Sequence, residues 1–147
     1  MTRRALLLAA LASRLRADAA DDAWDLICTA ARALTEATAT PPPDRGNPAP
    51  FLEYFDKKMP GYDTLVNNVT GLLREDDIEC TLDQRENDGD DHSRTVQVDW
   101  QMRVIELGYG TSSTRREEQV KCRVEKQGKK WKIVGLEPLE FFAPPRH

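Results

Sequence analysis

Residues 95–104 read TVQVDWQMRV, and their alternation decides the fold. Val96, Val98, Trp100, Met102 and Val104 fall on one side of an extended chain. Thr95, Gln97, Asp99, Gln101 and Arg103 fall on the other. Successive side chains of a strand point to opposite faces, so this period of two predicts a strand with one face in a core and one in water. That pattern belongs to an antiparallel sheet covered on one side.

Working outward, Ile78, Cys80 and Leu82 alternate with Glu79, Thr81 and Asp83 and predict a second strand, followed by a polar turn at Glu86–Asp91. Downstream, Gly108–Thr114 reads as a turn. Residues 119–142, QVKCRVEKQGKKWKIVGLEPLEFF, then supply two strands joined at Gly128-Lys129. A glycine first in a two-residue loop suits a type II′ hairpin. If Gln127 pairs with Lys130, Arg123 falls opposite Val134, Lys121 opposite Leu136, and Cys122 opposite Gly135.

Upstream of residue 76 the period becomes helical. Asp21-Asp22 can cap a helix carrying Trp24, Ile27, Cys28, Ala31 and Leu34 to about Ala37. The proline-rich stretch Thr38–Pro50 cannot continue it. Phe51, Tyr54, Phe55 and Met59 form a second stripe before Pro60-Gly61. A third helix starts near Tyr62 or Asp63, buries Leu65, Val69, Leu72 and Leu73, and ends at Glu75-Asp76-Asp77. Three helices followed by four strands is an α+β layout, with N-terminal helices packed on a curved, mainly antiparallel sheet. A chain of 147 residues has room for one such domain.

Charge separates the first residues from the rest. A basic start with Arg3 and Arg4 precedes an apolar run, Ala5–Ala12, and the small-x-small sequence Ala17-Asp18-Ala19. Residues 1–19 are therefore expected to be a signal peptide of Sec or twin-arginine type, leaving residues 20–147 as the domain. The protein is expected to be exported, periplasmic or extracellular, with no membrane anchor after cleavage. The run is shorter than the roughly 20 residues of a membrane span. Four arginines and one aspartate in this segment contribute +3 to the net charge of −4, so the remainder carries −7. Nucleic-acid binding is not expected of a domain that acidic.

Cys28, Cys80 and Cys122 form no CxxC and sit near no histidine, so no zinc site is implied and at most one disulfide is possible. Cys122 lies between Lys121 and Arg123, neighbours that would activate a thiol. Strand parity sends those two side chains to the opposite face, and Cys122 reads as a packing residue between Val120 and Val124. The sequon Asn68-Val-Thr70 lies inside the third helix and reads as accidental.

Helix, helix, a Pro-Gly-Tyr break, helix, then a meander closing on KKWKIVGLEPLEFF resembles the nuclear transport factor 2-like superfamily, a cystatin-like, cone-shaped α+β fold. The resemblance covers roughly residues 21–142, with Trp131 and the pair Phe141-Phe142 in its closing hairpin. No cofactor is expected. The resemblance implies either a binding module or an isomerase-, dehydratase- or hydrolase-like enzyme that places an acid or base inside the cone. The inward strand positions hold no Asp or His, and the two histidines, His92 and His147, lie in a loop and at the terminus. Glu106 and Glu137 share the inward parity near strand ends and are the catalytic candidates of the enzyme reading. The binding reading assigns a small apolar pocket to Tyr54, Tyr62, Trp100, Met102 and Trp131. Apolar Ile105, Leu107, Val134 and Leu136 on an otherwise polar outer sheet face, together with the resemblance, point to a homodimer through that face. The preferred expectation is a non-catalytic binding or interaction module for a small apolar ligand. An acid–base enzyme acting on a small apolar substrate is the alternative.

Overall fold

A computed structural model of the chain describes residues 2–106 and 112–145, with side chains from residue 18 onward. Helix α1 (Thr2–Ala39), the one-turn α2 (Ala49–Leu52) and helix α3 (Tyr62–Glu75) precede four strands, β1 (Asp76–Gly89), β2 (Ser93–Glu106), β3 (Ser112–Gln127) and β4 (Lys130–Glu137). A 3₁₀ turn, Leu139–Phe142, follows. The strands make one antiparallel meander in the order β1-β2-β3-β4, packed against the helices. The molecule is an α+β fold, with its helices packed on one face of an antiparallel sheet as the alternation at 95–104 and the helical periods upstream predict. Leu107 and most of the expected turn at Gly108–Thr114 lie outside the described residues, and Ser112 to Thr114 already belong to β3.

The helices follow their apolar periods. α3 buries Leu65, Val69, Leu72 and Leu73, the four residues its spacing selects. α1 buries Ala23, Ile27, Ala30, Ala31 and Leu34, with Trp24 and Cys28 half-buried at its flanks. It does not begin at Asp21. The residues before Asp21 are rich in Ala, Leu and Arg, strong helix formers, and the helix runs through from Thr2, leaving Asp21 and Asp22 in its interior.

Two β-bulges separate the observed register from the expected one. In β1, Gln84 pairs with Val98 and Glu86 with Gln97, so Arg85 is the extra residue and the strand continues to Gly89. The expected polar turn shrinks accordingly. The Asp90 carboxylate tightens it by accepting the backbone N–H groups of His92 and Ser93, each at 2.8 Å.

The second bulge matters more. Val124 pairs with Ile133 while Arg123 pairs with Gly135, so Val134 is inserted. An extra residue inverts the parity of everything after it. Cys122 therefore faces Leu136, not Gly135, and Lys121 faces Glu137, not Leu136. Leu136 turns into the core at 3% exposure, and Glu137 turns out to solvent. Gly135 sits beneath the Arg123 side chain, where a Cβ would lie 3.2 Å from Arg123 Cβ.

The core lies between the concave sheet face and the helices. Val96, Val98, Trp100, Met102 and Val104 are all 2% exposed or less. An aromatic cluster fills one end. Trp100 meets Phe142 edge to face at 5.1 Å and Phe141 at 6.3 Å, and Phe51 meets Phe55 at 4.9 Å. The Arg116 guanidinium fixes the closing turn by donating to the main-chain oxygens of Phe141 and Ala143.

Candidate functional site

The five residues expected to line one pocket do not share one. Met102 is fully buried in mid-sheet, opposite Cys80 and Arg116. Trp100 is buried beneath the two C-terminal phenylalanines, and its Nε1 has no hydrogen-bond partner among the described residues. The thiol of Cys80, a weak acceptor, is the polar group beside it. These two side chains are core, because the cone is filled by the chain's own aromatics.

Tyr54 and Trp131 are brought together. The segment after α2 docks alongside β4: Ile133 N–H donates to Tyr54 O and Asp56 N–H donates to Ile133 O, each at 2.9 Å. This one-residue parallel bridge, Phe55 to Ile133, buries Phe55 and sets Tyr54 at the mouth of the sheet. Trp131 lies near the start of β4 on the inner face, and both rings remain half-buried. They line an open cleft of about 510 Å³ with Leu26 and Thr29 of α1. Asp22 and Asp25 of α1, Glu53, and Lys129, Lys130 and Lys132 of the β3–β4 hairpin complete its lining. The ammonium of Lys132 donates to the main-chain oxygen of Glu53. Tyr62 lies elsewhere, lining a separate cleft with Leu52, Pro50 and Lys57 that shares only Glu53 with the first.

Neither carboxylate proposed for acid–base chemistry sits inside. Glu106 is half-buried at the end of β2, opposite Asp76, and accepts a long hydrogen bond from Ser112 Oγ at 3.4 Å. Glu137 is exposed on the outer side of β4, and the inward parity expected of it is corrected by the Val134 bulge.

The inner face is also less uniformly apolar than expected. Arg94, 7% exposed, occupies the inward position after Val98 and Val96. Its guanidinium donates to Asn87 Oδ1 at 2.7 Å, Asn87 O at 2.8 Å and Asp90 O at 3.1 Å. Asn87 Nδ2 in turn reaches Ala20 O at 2.9 Å and joins β1 to α1. Arg116 also faces inward; burial pushes its guanidinium pKa down, and the nearby Asp76 charge pushes it back up. Asp76, 5% exposed, reads in the sequence as an acid closing α3, yet it begins β1 in the interior. Counting back by two from Val96 and Val124 reaches Arg94 and Arg116, so strand parity held the signal for both.

The thiols are free, and burial governs them. Burial alone pushes the Cys122 pKa up to about 12. Burial pushes Cys80 up to about 11 against small opposing contributions from Trp100 and Thr35. Cys28 is also raised, first by burial and then by the Asp25 charge. Cys28 and Cys80 line one small cleft between α1 and β1 with Thr35 and Arg32. Among the described residues no group of three or more His, Cys, Asp or Glu could hold a metal ion. No helix of the described residues is long and apolar enough to cross a membrane. The Asn68 amide of the sequon donates to Leu139 O at 3.1 Å, tying α3 to the 3₁₀ turn.

No protein-family model matches the chain, and no curated protein matches it. Among solved structures the chain is similar to one titled Rd1NTF2_05, a designed nuclear transport factor 2-like protein carrying five substitutions. Identity is 9%, the match covers 71% of this chain and 89% of that one, and the TM-score is 0.45.

Proposed function

We propose that the protein is a non-catalytic binding module of the nuclear transport factor 2-like superfamily that takes a small ligand at the Tyr54–Trp131 cleft instead of in its interior. The filled core carries this reading. The inward positions of β2, where an enzyme of this layout would hold a substrate and an acid or base, are occupied by packed Val96, Val98, Trp100, Met102 and Val104. Half-buried aromatics at an open cleft offer apolar area without a cost of unpacking. Titration of small amphiphiles, followed by tryptophan fluorescence, tests it. A saturable change that survives Trp100→Phe and disappears in Trp131→Ala is expected. A response that survives Trp131→Ala and disappears in Trp100→Phe would place the ligand inside and overturn the reading.

The same reading includes export and a second copy of the chain. Cleavage after Ala19 leaves Asp21 and Asp22 in the first turn of α1, where acids favour a helix N-terminus. The contact from Asn87 to Ala20 O then ties the new start to the sheet. A native mass corresponding to an intact Met1 start would contradict export. The outer sheet face carries Asp77, Glu79 and Asp83 on β1, and Arg115, Lys121 and Arg123 alternate with Glu117 and Glu125 on β3; Glu79 pairs with Arg103 at 3.5 Å and Arg123 with Glu125 at 4.0 Å. A two-fold axis parallel to the strands sets the acidic β1 of one copy toward the side of the sheet that carries Lys121 and Arg123 in the other. Ile105 and Val134 remain half-buried on that face, while Leu136 has left it for the core. Light scattering at micromolar concentration is expected to give a dimer that Lys121→Glu with Arg123→Glu weakens. A strict monomer would remove this part of the reading.

A further inference from the structure

The cleft is electrically divided. Asp22 and Asp25 from α1 carry negative charge on the helix wall. Lys129 and Lys130, from the β3–β4 hairpin, carry positive charge on the hairpin wall. No ion pair within 4.0 Å joins these carboxylates to these ammonium groups among the described residues; the ion pairs of the fold lie elsewhere, as in Arg45–Asp77 and Arg103–Glu79. Lys132 donates to the Glu53 carbonyl, so these two residues lie side by side, and the separated charges are those of Asp22 and Asp25 against Lys129 and Lys130. Opposite charges held apart across an apolar floor of Trp131, Tyr54 and Leu26 create a field directed from one wall to the other. A neutral apolar ligand would use the floor and leave both walls unsatisfied. A singly charged ligand would satisfy one wall and be repelled by the other.

From this arrangement we infer that the cleft selects a small zwitterion with an apolar body, such as an α-amino acid with an aromatic or branched side chain. Its ammonium faces Asp22 and Asp25, its carboxylate faces Lys129 and Lys130, and its side chain lies on Trp131 and Tyr54. Cation–π attraction to the two rings adds to the acid wall. The inference rests on the Tyr54–Trp131 cleft being the binding site and adds to that reading the class of ligand.

Calorimetric titration with four probes of one skeleton tests it: phenylalanine, phenethylamine, 3-phenylpropanoate and toluene. Phenylalanine is expected to bind at least about tenfold more tightly than each of the other three. Asp25→Asn and Lys130→Gln are each expected to reduce that preference several-fold, and raising salt is expected to erode it. Both substituted residues are exposed, and circular dichroism and thermal melting confirm that the variants fold. Equal binding of all four probes, lost in Trp131→Ala, would overturn the zwitterion inference and leave the cleft reading standing. Binding of none of the four, with no response at Trp131, would overturn both.

Discussion

Trp100 and Phe142 meet edge to face, with centroids 5.1 Å apart and ring planes at 89°. The indole on the central strand is thereby closed off by a ring from the end of the chain, and Phe141 closes a second side. The contact joins β2 to the 3₁₀ turn, which Arg116 holds from β3. A residue that could have been the floor of a ligand cavity is part of the packing that removes the cavity.

The two indoles therefore respond oppositely to truncation. Trp100→Ala opens a void in a close-packed core and is expected to destabilise the protein by about 3–5 kcal/mol in urea unfolding. Trp131→Ala, at a half-buried rim position, is expected to cost under about 1 kcal/mol while abolishing ligand binding. Equal stability losses would contradict the different roles assigned to the two rings.

Arg94 is the buried cation of the inner face, and its three hydrogen bonds are all to Asn87 and Asp90. Arg94→Ala leaves the Asn87 side chain and two carbonyls without their donor and is expected to cost about 2–3 kcal/mol. Arg94→Lys is expected to recover little, since one ammonium cannot reproduce a guanidinium fork. Hydrogen exchange should quicken in the turn at Asp90–Ser93 and at the start of β2 in both variants.

The buried thiols make stability fall in alkali. Their folded pKa values are raised from the ordinary 9.0 to about 11 for Cys80 and about 12 for Cys122. The unfolded chain therefore loses these protons first. The stabilisation is full below pH 9, declines as pH rises above it, and is gone once pH passes the folded values. Cys122→Ala is expected to flatten part of that decline in unfolding curves measured from pH 8 upward. Native Cys122 is expected to react with a thiol reagent more slowly than Cys28, which is only partly buried.

Asp56 and Asp90 act in the acid range with the opposite sign. The Lys58 backbone N–H and then the Gln127 side chain hold Asp56 below 3.8, and the His92 and Ser93 backbone N–H groups hold Asp90 below it. Their contribution is present above pH 3.8 and is lost as pH falls through the folded values. Carbon-detected NMR titration is expected to find both carboxyls titrating below 3.8. Gln127→Ala is expected to move Asp56 upward and leave Asp90 in place.

The central strand, α3 and the helices-then-sheet order were legible because each rests on a long periodic pattern. What the period could not carry was an inserted residue. Nothing about Val134 marks it as a bulge, yet that one residue exchanges the places of Leu136 and Glu137 and removes a candidate base from the interior. Arg85 does the same more quietly in β1. The site was half legible. Tyr54 and Trp131 are 77 positions apart in a chain whose order gives no hint that residues 54–56 pair with β4, so their meeting depends on a tertiary contact. Trp100 and Met102 were identified by the right face but given the wrong role, since inward parity does not distinguish a cavity lining from its filling. The opposed charges of the cleft come from α1 and the β3–β4 hairpin, segments that only the fold brings together.

The interior is occupied by the chain's own side chains, and the proposed ligand site lies at its rim. Methyl NMR during titration with toluene tests this most directly, using the Met102 and Val98 methyls as reporters of the core and the Leu26 methyls as reporters of the cleft. The Met102 and Val98 signals are expected to stay in place to the solubility limit. Saturable shifts of those signals in the folded protein, with Leu26 unmoved, would contradict it.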